Sequence, residues 1–195
     1  VEKGTIALDN SNTNLLSLKA TSGDDKVTLI DNMLIGNVAN NVDIDLGAGD
    51  DEIITKDLVA NKTVTINGGA GNDLFDVRGS KTDVDASKYV VIGDVSGGDK
   101  IKFDALVQAS GFERIQDSVV KDATTLKEAI NLAIASNQSA SPILNKVFYF
   151  TYAGDTYVVH NATSTAVGTP DTLTAADTVV KLAGVRSDDL ILTAD

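Results

Sequence analysis

Four short stretches place a carboxylate two residues after a glycine and two before a large apolar side chain. They read Gly23-Asp24-Asp25-Lys26-Val27, Gly49-Asp50-Asp51-Glu52-Ile53, Gly71-Asn72-Asp73-Leu74-Phe75 and Gly97-Gly98-Asp99-Lys100-Ile101. The third-place aspartates, Asp25, Asp51, Asp73 and Asp99, are spaced by 26, 22 and 26 residues. Aspartate in a glycine-rich turn is hard-cation chemistry. Carboxylates and turn carbonyls supply the typically about six to eight oxygens that calcium takes. Glycine lets the backbone adopt the dihedrals that aim those carbonyls.

Something must hold the turns in place, and the flanking sequence reads as strand. Before the turns come Leu15-Leu16-Ser17-Leu18, Val42-Asp43-Ile44-Asp45-Leu46, Val64-Thr65-Ile66 and Val90-Val91-Ile92. After them come Val27-Thr28-Leu29-Ile30, Ile53-Ile54-Thr55, Leu74-Phe75-Asp76-Val77 and Ile101-Lys102-Phe103. Several alternate apolar with polar, the period of a strand with one buried face. Two strands and two turns make one coil of a parallel β-solenoid, and stacked coils lie about 4.8 Å apart. The four aspartates then form a column. Bare carboxylates about 5 Å apart repel by roughly 3 kcal/mol at an effective dielectric near 20. Only Lys26 and Lys100 lie close by in sequence. A divalent cation between the turns, calcium above all, resolves the conflict.

Composition narrows the alternatives. The chain has 195 residues and a net charge of -12, which argues against a nucleic-acid partner or an anionic membrane surface. Of its 28 acids, 24 are Asp, a residue of turns and cation sites rather than of helix faces. With no Cys and one His, disulfides, Cys/His zinc sites and Cys or two-His catalysis are excluded. At 43% hydrophobic the chain can bury a core. No apolar run approaches the roughly 18 residues that would span a bilayer, so no membrane insertion is expected. No signal peptide is visible, and an opening at Val1-Glu2-Lys3 reads as an excised or processed form.

The turns resemble the nonapeptide of the RTX (repeats-in-toxin) family, Gly-Gly-x-Gly-x-Asp-x-apolar-x. The fullest copy is Gly68-Gly69-Ala70-Gly71-Asn72-Asp73-Leu74-Phe75-Asp76. A second, Leu46-Gly47-Ala48-Gly49-Asp50-Asp51-Glu52-Ile53-Ile54, lacks only the first glycine, and the outer two keep mainly Gly-x-Asp-x-apolar. The resemblance implies a right-handed parallel β-solenoid, an RTX β-roll, with calcium between adjacent turns. It implies Asp25, Asp51, Asp73 and Asp99 as carboxylate ligands. Carbonyl ligands would come from Gly47, Gly49, Gly69 and Gly71, with Gly23 and Gly97 at the matching places of the outer turns. The return segments, Asp31 to Asn41, Asp57 to Lys62 and Gly79 to Lys88, do not match the motif, although Asp83 and Asp85 could supply a weaker second-edge site.

The boundary near residue 104 divides a repeat region, 1–104, from a cap, 105–195. Six of the nine aromatics fall in the cap, so it needs a small core of its own. Residues 122–136 read as its one helix, with a Thr125–Glu128 capping box and a stripe of Leu126, Ala129, Ile130, Ala133 and Ile134. Val147–Tyr152 and Thr156–Val159 flank Ala153-Gly154-Asp155 as an antiparallel hairpin, with Phe148, Phe150 and Tyr152 sharing the face toward the helix. Strands are expected at Asp177–Gly184 and over the last residues, Asp189–Asp195. His160 reads as structural. The polar run Asp9–Asn14 lacks the glycine and closing Glu of an EF-hand loop.

The stretch from Tyr149 to Leu190 is similar to the C-terminal region of type I secreted RTX proteins, especially bacterial surface-layer (S-layer) proteins. That resemblance implies a secreted, cell-surface, non-enzymatic structural protein. It would self-associate into a lattice, with cell-surface polysaccharide as a possible partner of the parent protein. Two rivals share the calcium chemistry or the fold. One is the export and folding module of an RTX protease, lipase or adhesin. The other is a carbohydrate-active β-solenoid, which the outward residues Thr55, Thr65 and Lys102 do not favour.

Overall fold

The computed structural model describes residues 5–8, 17–29, 42–55, 63–82, 85, 87–103, 112–136, 146–162 and 171–185. Among these residues the repeat region supplies nine short strands: β1 (Thr5–Leu8), β2 (Ser17–Lys19), β3 (Lys26–Leu29), β4 (Val42–Asp45), β5 (Glu52–Ile54), β6 (Val64–Asn67), β7 (Leu74–Asp76), β8 (Val90–Ile92) and β9 (Lys100–Lys102). The odd-numbered strands form one parallel sheet in the order β1-β3-β5-β7-β9. The even-numbered strands run parallel in a second sheet. Each Gly/Asp turn therefore carries the chain from the second sheet to the first.

Register follows from the alternation. Val27, Ile53, Phe75 and Ile101 pair in line across the first sheet, and Ile44, Ile66 and Ile92 across the second. All are buried in one core. A one-residue slip would turn each column outward, so burial pins the register and with it the stacking of the turns. Thr55 departs from expectation. It is fully buried, because its hydroxyl is taken up by Ser80 Oγ at 2.9 Å.

The cap adds β10 (Phe112–Arg114), α1 (Asp117–Val120), α2 (Leu126–Ser136), β11 (Lys146–Tyr152), β12 (Asp155–Asn161) and β13 (Thr178–Leu182). Among the described residues it holds two helices rather than the one expected. The four residues of α1 are too few to show a 3.6-residue period. α2 begins later than residue 122, since 122–125 form its entry. The capping box is shifted: Thr125 Oγ1 accepts the Glu128 amide at 3.2 Å, while the Glu128 carboxylate reaches the amide and hydroxyl of Thr124, both at 2.8 Å. The hairpin turns at Ala153 (φ 53°) and Gly154 (φ 91°), which brings Tyr152 opposite Asp155.

One sheet runs through both parts of the chain, in the order β10-β11-β12-β13-β8-β6-β4-β2. β13 lies parallel to β8, with Leu182 beside Ile92, and so covers an edge that would otherwise offer unpaired amides. Strands β11 to β13 bury both faces. Val147, Val158, Val180 and Leu182 join the repeat core. Phe148, Phe150, Tyr157, Val159 and Val179 pack with Ala129, Ile130, Ala133 and Ile134 of α2. Tyr152 is half-buried against that second cluster. The expected strand at 189–195, the polar run 9–14 and the return segments 31–41 and 57–62 lie outside the described residues.

Candidate metal centre

The turns stack so closely that backbone touches backbone. A Cβ on Gly69 would lie 1.9 Å from the Gly47 carbonyl oxygen, and one on Gly71 equally close to that of Gly49. Both glycines hold positive φ, 92° and 144°. Direct bonds tie the turns: Ala70 N–H donates to the Gly47 carbonyl at 3.0 Å, and Gly49 N–H to that of Ala70 at 2.8 Å. A carbonyl has two lone pairs, so Gly47 keeps one. Gly23 is buried against Gly49. Gly97 breaks the column: nothing lies within 4 Å of its Cβ position, and Gly98 instead holds positive φ against Asn72.

All four aspartates are brought into one column. The Asp25 amide donates to Asp51 Oδ1 at 2.7 Å, that of Asp51 to Asp73 Oδ1 at 2.9 Å, and that of Asp73 to Asp99 Oδ1 at 2.9 Å. One oxygen of each lower carboxylate is thus spent on the turn above. The second oxygens divide the column into ends and middle. Asp25 Oδ2 accepts the amide and hydroxyl of Thr21, both at 2.7 Å. Asp99 Oδ2 accepts the Ser96 amide at 2.7 Å. The end carboxylates so cap their own turns.

In the middle, Asp51 Oδ2 and Asp73 Oδ2 are buried with no hydrogen-bond partner among the described residues. Their residues are 2% and 1% exposed. Among the described residues no Lys or Arg pairs with either one; Lys26 pairs with Glu52 at 2.6 Å instead. Asp73 Oδ2 sits beneath Gly68, where a Cβ would lie 2.3 Å from it, so the first glycine of the nonapeptide makes room for a carboxylate. Burial pushes both carboxyls above the usual range. The amide bonds oppose the shift, and neighbouring aspartates add to it. Asp73 rises to about 6. Orphaned, buried carboxylate oxygens in stacked glycine turns are what a hard cation would satisfy, so these residues fit calcium. Among the described residues no three acidic or His side chains converge, so carbonyls and water would complete the shell.

A pH dependence follows. The folded pKa of Asp73, about 6, exceeds its ordinary value of 3.8, so the folded state holds this proton more tightly. Without calcium, the Asp73 contribution is unfavourable above pH 6 and is relieved as pH falls toward 4. The relief is on the order of 3 kcal/mol. Melting in EDTA at pH 7.5 and pH 5, with Asp73→Asn as reference, should show wild type gaining on the variant at the lower pH. Equal differences at both pH values would contradict the assignment.

Two features escaped sequence reasoning. A second ladder runs beside the first in the opposite sense: the Asp50 amide donates to Asp24 Oδ1 at 3.0 Å, and the Asn72 amide to Asp50 Oδ1 at 2.8 Å. Its signal was readable, since Asp24, Asp50 and Asn72 each precede a column aspartate. Asp94 accepts the amides of Gly68 and Gly69, each at 2.8 Å, from one turn away. On the other edge, the described residues hold no such column. Asp76 is matched by Arg78 Nε at 2.8 Å, and the Thr178 hydroxyl bonds the Ser80 carbonyl. Asp85 pairs with Lys127 at 2.9 Å, and Asp83 lies outside the described residues. His160 is buried in β12, opposite Val147 and Thr178.

Comparison with protein-family models and with curated proteins finds no match to this chain.

Proposed function

We propose that this chain is a calcium-dependent structural module of a secreted bacterial surface-layer protein, built as a right-handed RTX-type roll. The observation that carries the calcium step is the pair of buried, partnerless oxygens, Asp51 Oδ2 and Asp73 Oδ2, in adjacent stacked turns. In calcium-poor cytosol these carboxylates repel one another and disfavour the fold, so the chain stays competent for export. At millimolar calcium outside, the ion binds only the folded turns and supplies folding free energy. The surface-layer step rests on the resemblance of Tyr149–Leu190. Heterologous contacts between copies would then extend an array. The reading assigns no catalysis to the chain. Among the described residues no helix is long and apolar enough to cross a membrane.

The test is circular dichroism and melting during titration with calcium and, in parallel, magnesium. Calcium should add β signal and raise the melting temperature by more than about 10 °C, since ion binding adds directly to unfolding free energy. Magnesium should do little, being too small and too reluctant to shed water for such a cage. A spectrum and melting point indifferent to EDTA would end the calcium reading. Ordered two-dimensional arrays of the parent protein with calcium would support the surface-layer step. A parent chain carrying a protease or lipase motif would favour the export-module rival.

A further inference from the structure

A second group of buried oxygens lies in the cap, where β12 ends and residues 171–177 lead into β13. Asn161, Asp171 and Asp177 are 6%, 4% and 0% exposed. Asp177 is built into the backbone. Its Oδ1 accepts the Ala162 amide at 2.9 Å, and its Oδ2 accepts the Thr174 amide at 2.7 Å and hydroxyl at 3.1 Å. Those bonds pin the end of β12 to the start of β13. Asp171 is held more lightly. Oδ1 accepts the Thr172 amide at 3.0 Å, and Oδ2 accepts Asn161 Nδ2 at 2.9 Å.

The Asn161 amide thus faces Asp171, yet its carbonyl oxygen is buried with no partner. Among the described residues no Lys or Arg forms an ion pair with Asp171 or Asp177. The Lys81 amine donates to the Ala176 carbonyl of this loop at 3.0 Å. Among the described residues, two carboxylates and an amide oxygen are therefore buried together with no ion-pair partner, an arrangement that apolar surroundings penalise. Access exists. Asp171 and Thr172 line a groove of about 360 Å³ with Glu128 and Asn131 of α2 and Thr125 just before it. The loop is tied to that helix by the Leu173 amide, which donates to Asn131 Oδ1 at 2.9 Å.

We propose that Asn161 Oδ1 and the Asp171 carboxylate hold a calcium ion in the cap, separate from the Gly/Asp turns. Asp177 supplies further negative charge, and water entering by the groove completes the shell. Amide oxygen, carboxylate and water are all ligands that calcium accepts in irregular geometry. The ion would lock the β12–β13 connection, and β13 is the strand that covers β8. Calcium would then fasten the cap as well as the turns.

The experiment counts ions. The full chain is dialysed to equilibrium against calcium at pH 7.5 as wild type, Asp171→Asn, Asn161→Asp and the double variant Asp51→Asn/Asp73→Asn. Asp171→Asn should bind one ion fewer than wild type. Asn161→Asp turns a neutral ligand into a charged one and should tighten that site about tenfold, because ligand charge sets calcium affinity. The double variant should keep an ion that Asp171→Asn loses. Were Asp171→Asn to misfold, the Asn161→Asp affinity decides alone. The inference is overturned if Asp171→Asn and Asn161→Asp both bind calcium as wild type does. It is equally overturned if binding disappears only in the double variant, which would leave the turn reading intact.

Discussion

Asp73→Asn is expected to melt above wild type in EDTA at neutral pH and below wild type in millimolar calcium. The crossing is the signature. Asparagine keeps an oxygen for the Asp51 amide, which Asp73 Oδ1 now accepts at 2.9 Å, so the ladder survives. It replaces the buried, partnerless Oδ2 with a neutral group, removing a charge whose burial raises the carboxyl to about 6. Without the ion that substitution stabilises by up to about 3 kcal/mol. With the ion it deletes a charged ligand, and the calcium midpoint should rise at least about tenfold. Asp51→Asn should behave alike, and on the proposed reading, in which the two would share an ion, both together should cost less calcium affinity than the sum of the singles. Asp99→Asn offers the contrast. Its second oxygen already caps the Ser96 amide, so its effect on calcium should be small. If Asp73→Asn and Asp99→Asn shift the calcium midpoint equally, the division of the column into ends and middle is wrong.

The second large effect is steric and needs no ion. Gly71→Ala should destabilise by more than about 3 kcal/mol, among the larger single-site losses known. Its Cβ would lie 1.9 Å from the Gly49 carbonyl oxygen at a φ of 144°, so clash and strain act together. Neither neighbour can yield, since both are backbone within a hydrogen-bonded stack. Two controls separate the causes. Gly154 also holds positive φ, 91°, but nothing lies within 4 Å of its Cβ position. Gly154→Ala should cost only the roughly 1–2 kcal/mol of a left-handed residue. Gly97→Ala meets neither obstacle and should fall within about 0.5 kcal/mol of wild type. Thermal or urea melting orders the three, and a Gly71→Ala variant as stable as Gly97→Ala would mean that the turns do not touch.

How much of this was legible can be traced residue by residue. The strands around the turns could be read because Val, Ile, Leu and Phe alternate with polar residues, and a period of two survives in very short elements. The helix at 126–136 showed itself by its apolar stripe, and the hairpin by Ala153-Gly154. Strand β10 was not legible because Phe-Glu-Arg carries one apolar residue and no alternation, and helix α1 because four residues are too few to show a 3.6-residue period. Thr55 was misread as outward because its burial depends on Ser80, 25 residues away. The docking of β13 on β8 left no local trace either. That pairing joins Val180 to Val90, and both would suit any buried strand.

By itself the sequence determined the candidate chemistry: aspartates set in glycine turns at near-regular spacing, with apolar columns able to stack them. Spacing and residue type are local properties, and a linear chain displays them. Which carboxylates stand ready for an ion was decided only by the tertiary structure. Asp25 and Asp99 hold the same place as Asp51 and Asp73 in the Gly-x-Asp-x-apolar core, yet they are the outer two of the four aspartates in the column and turn an oxygen back on Thr21 and Ser96. Asp51 and Asp73 have turns on both sides and no such option. Hydrogen bonds between neighbouring turns are non-local, so the difference between a satisfied and an orphaned oxygen exists only once the turns have met.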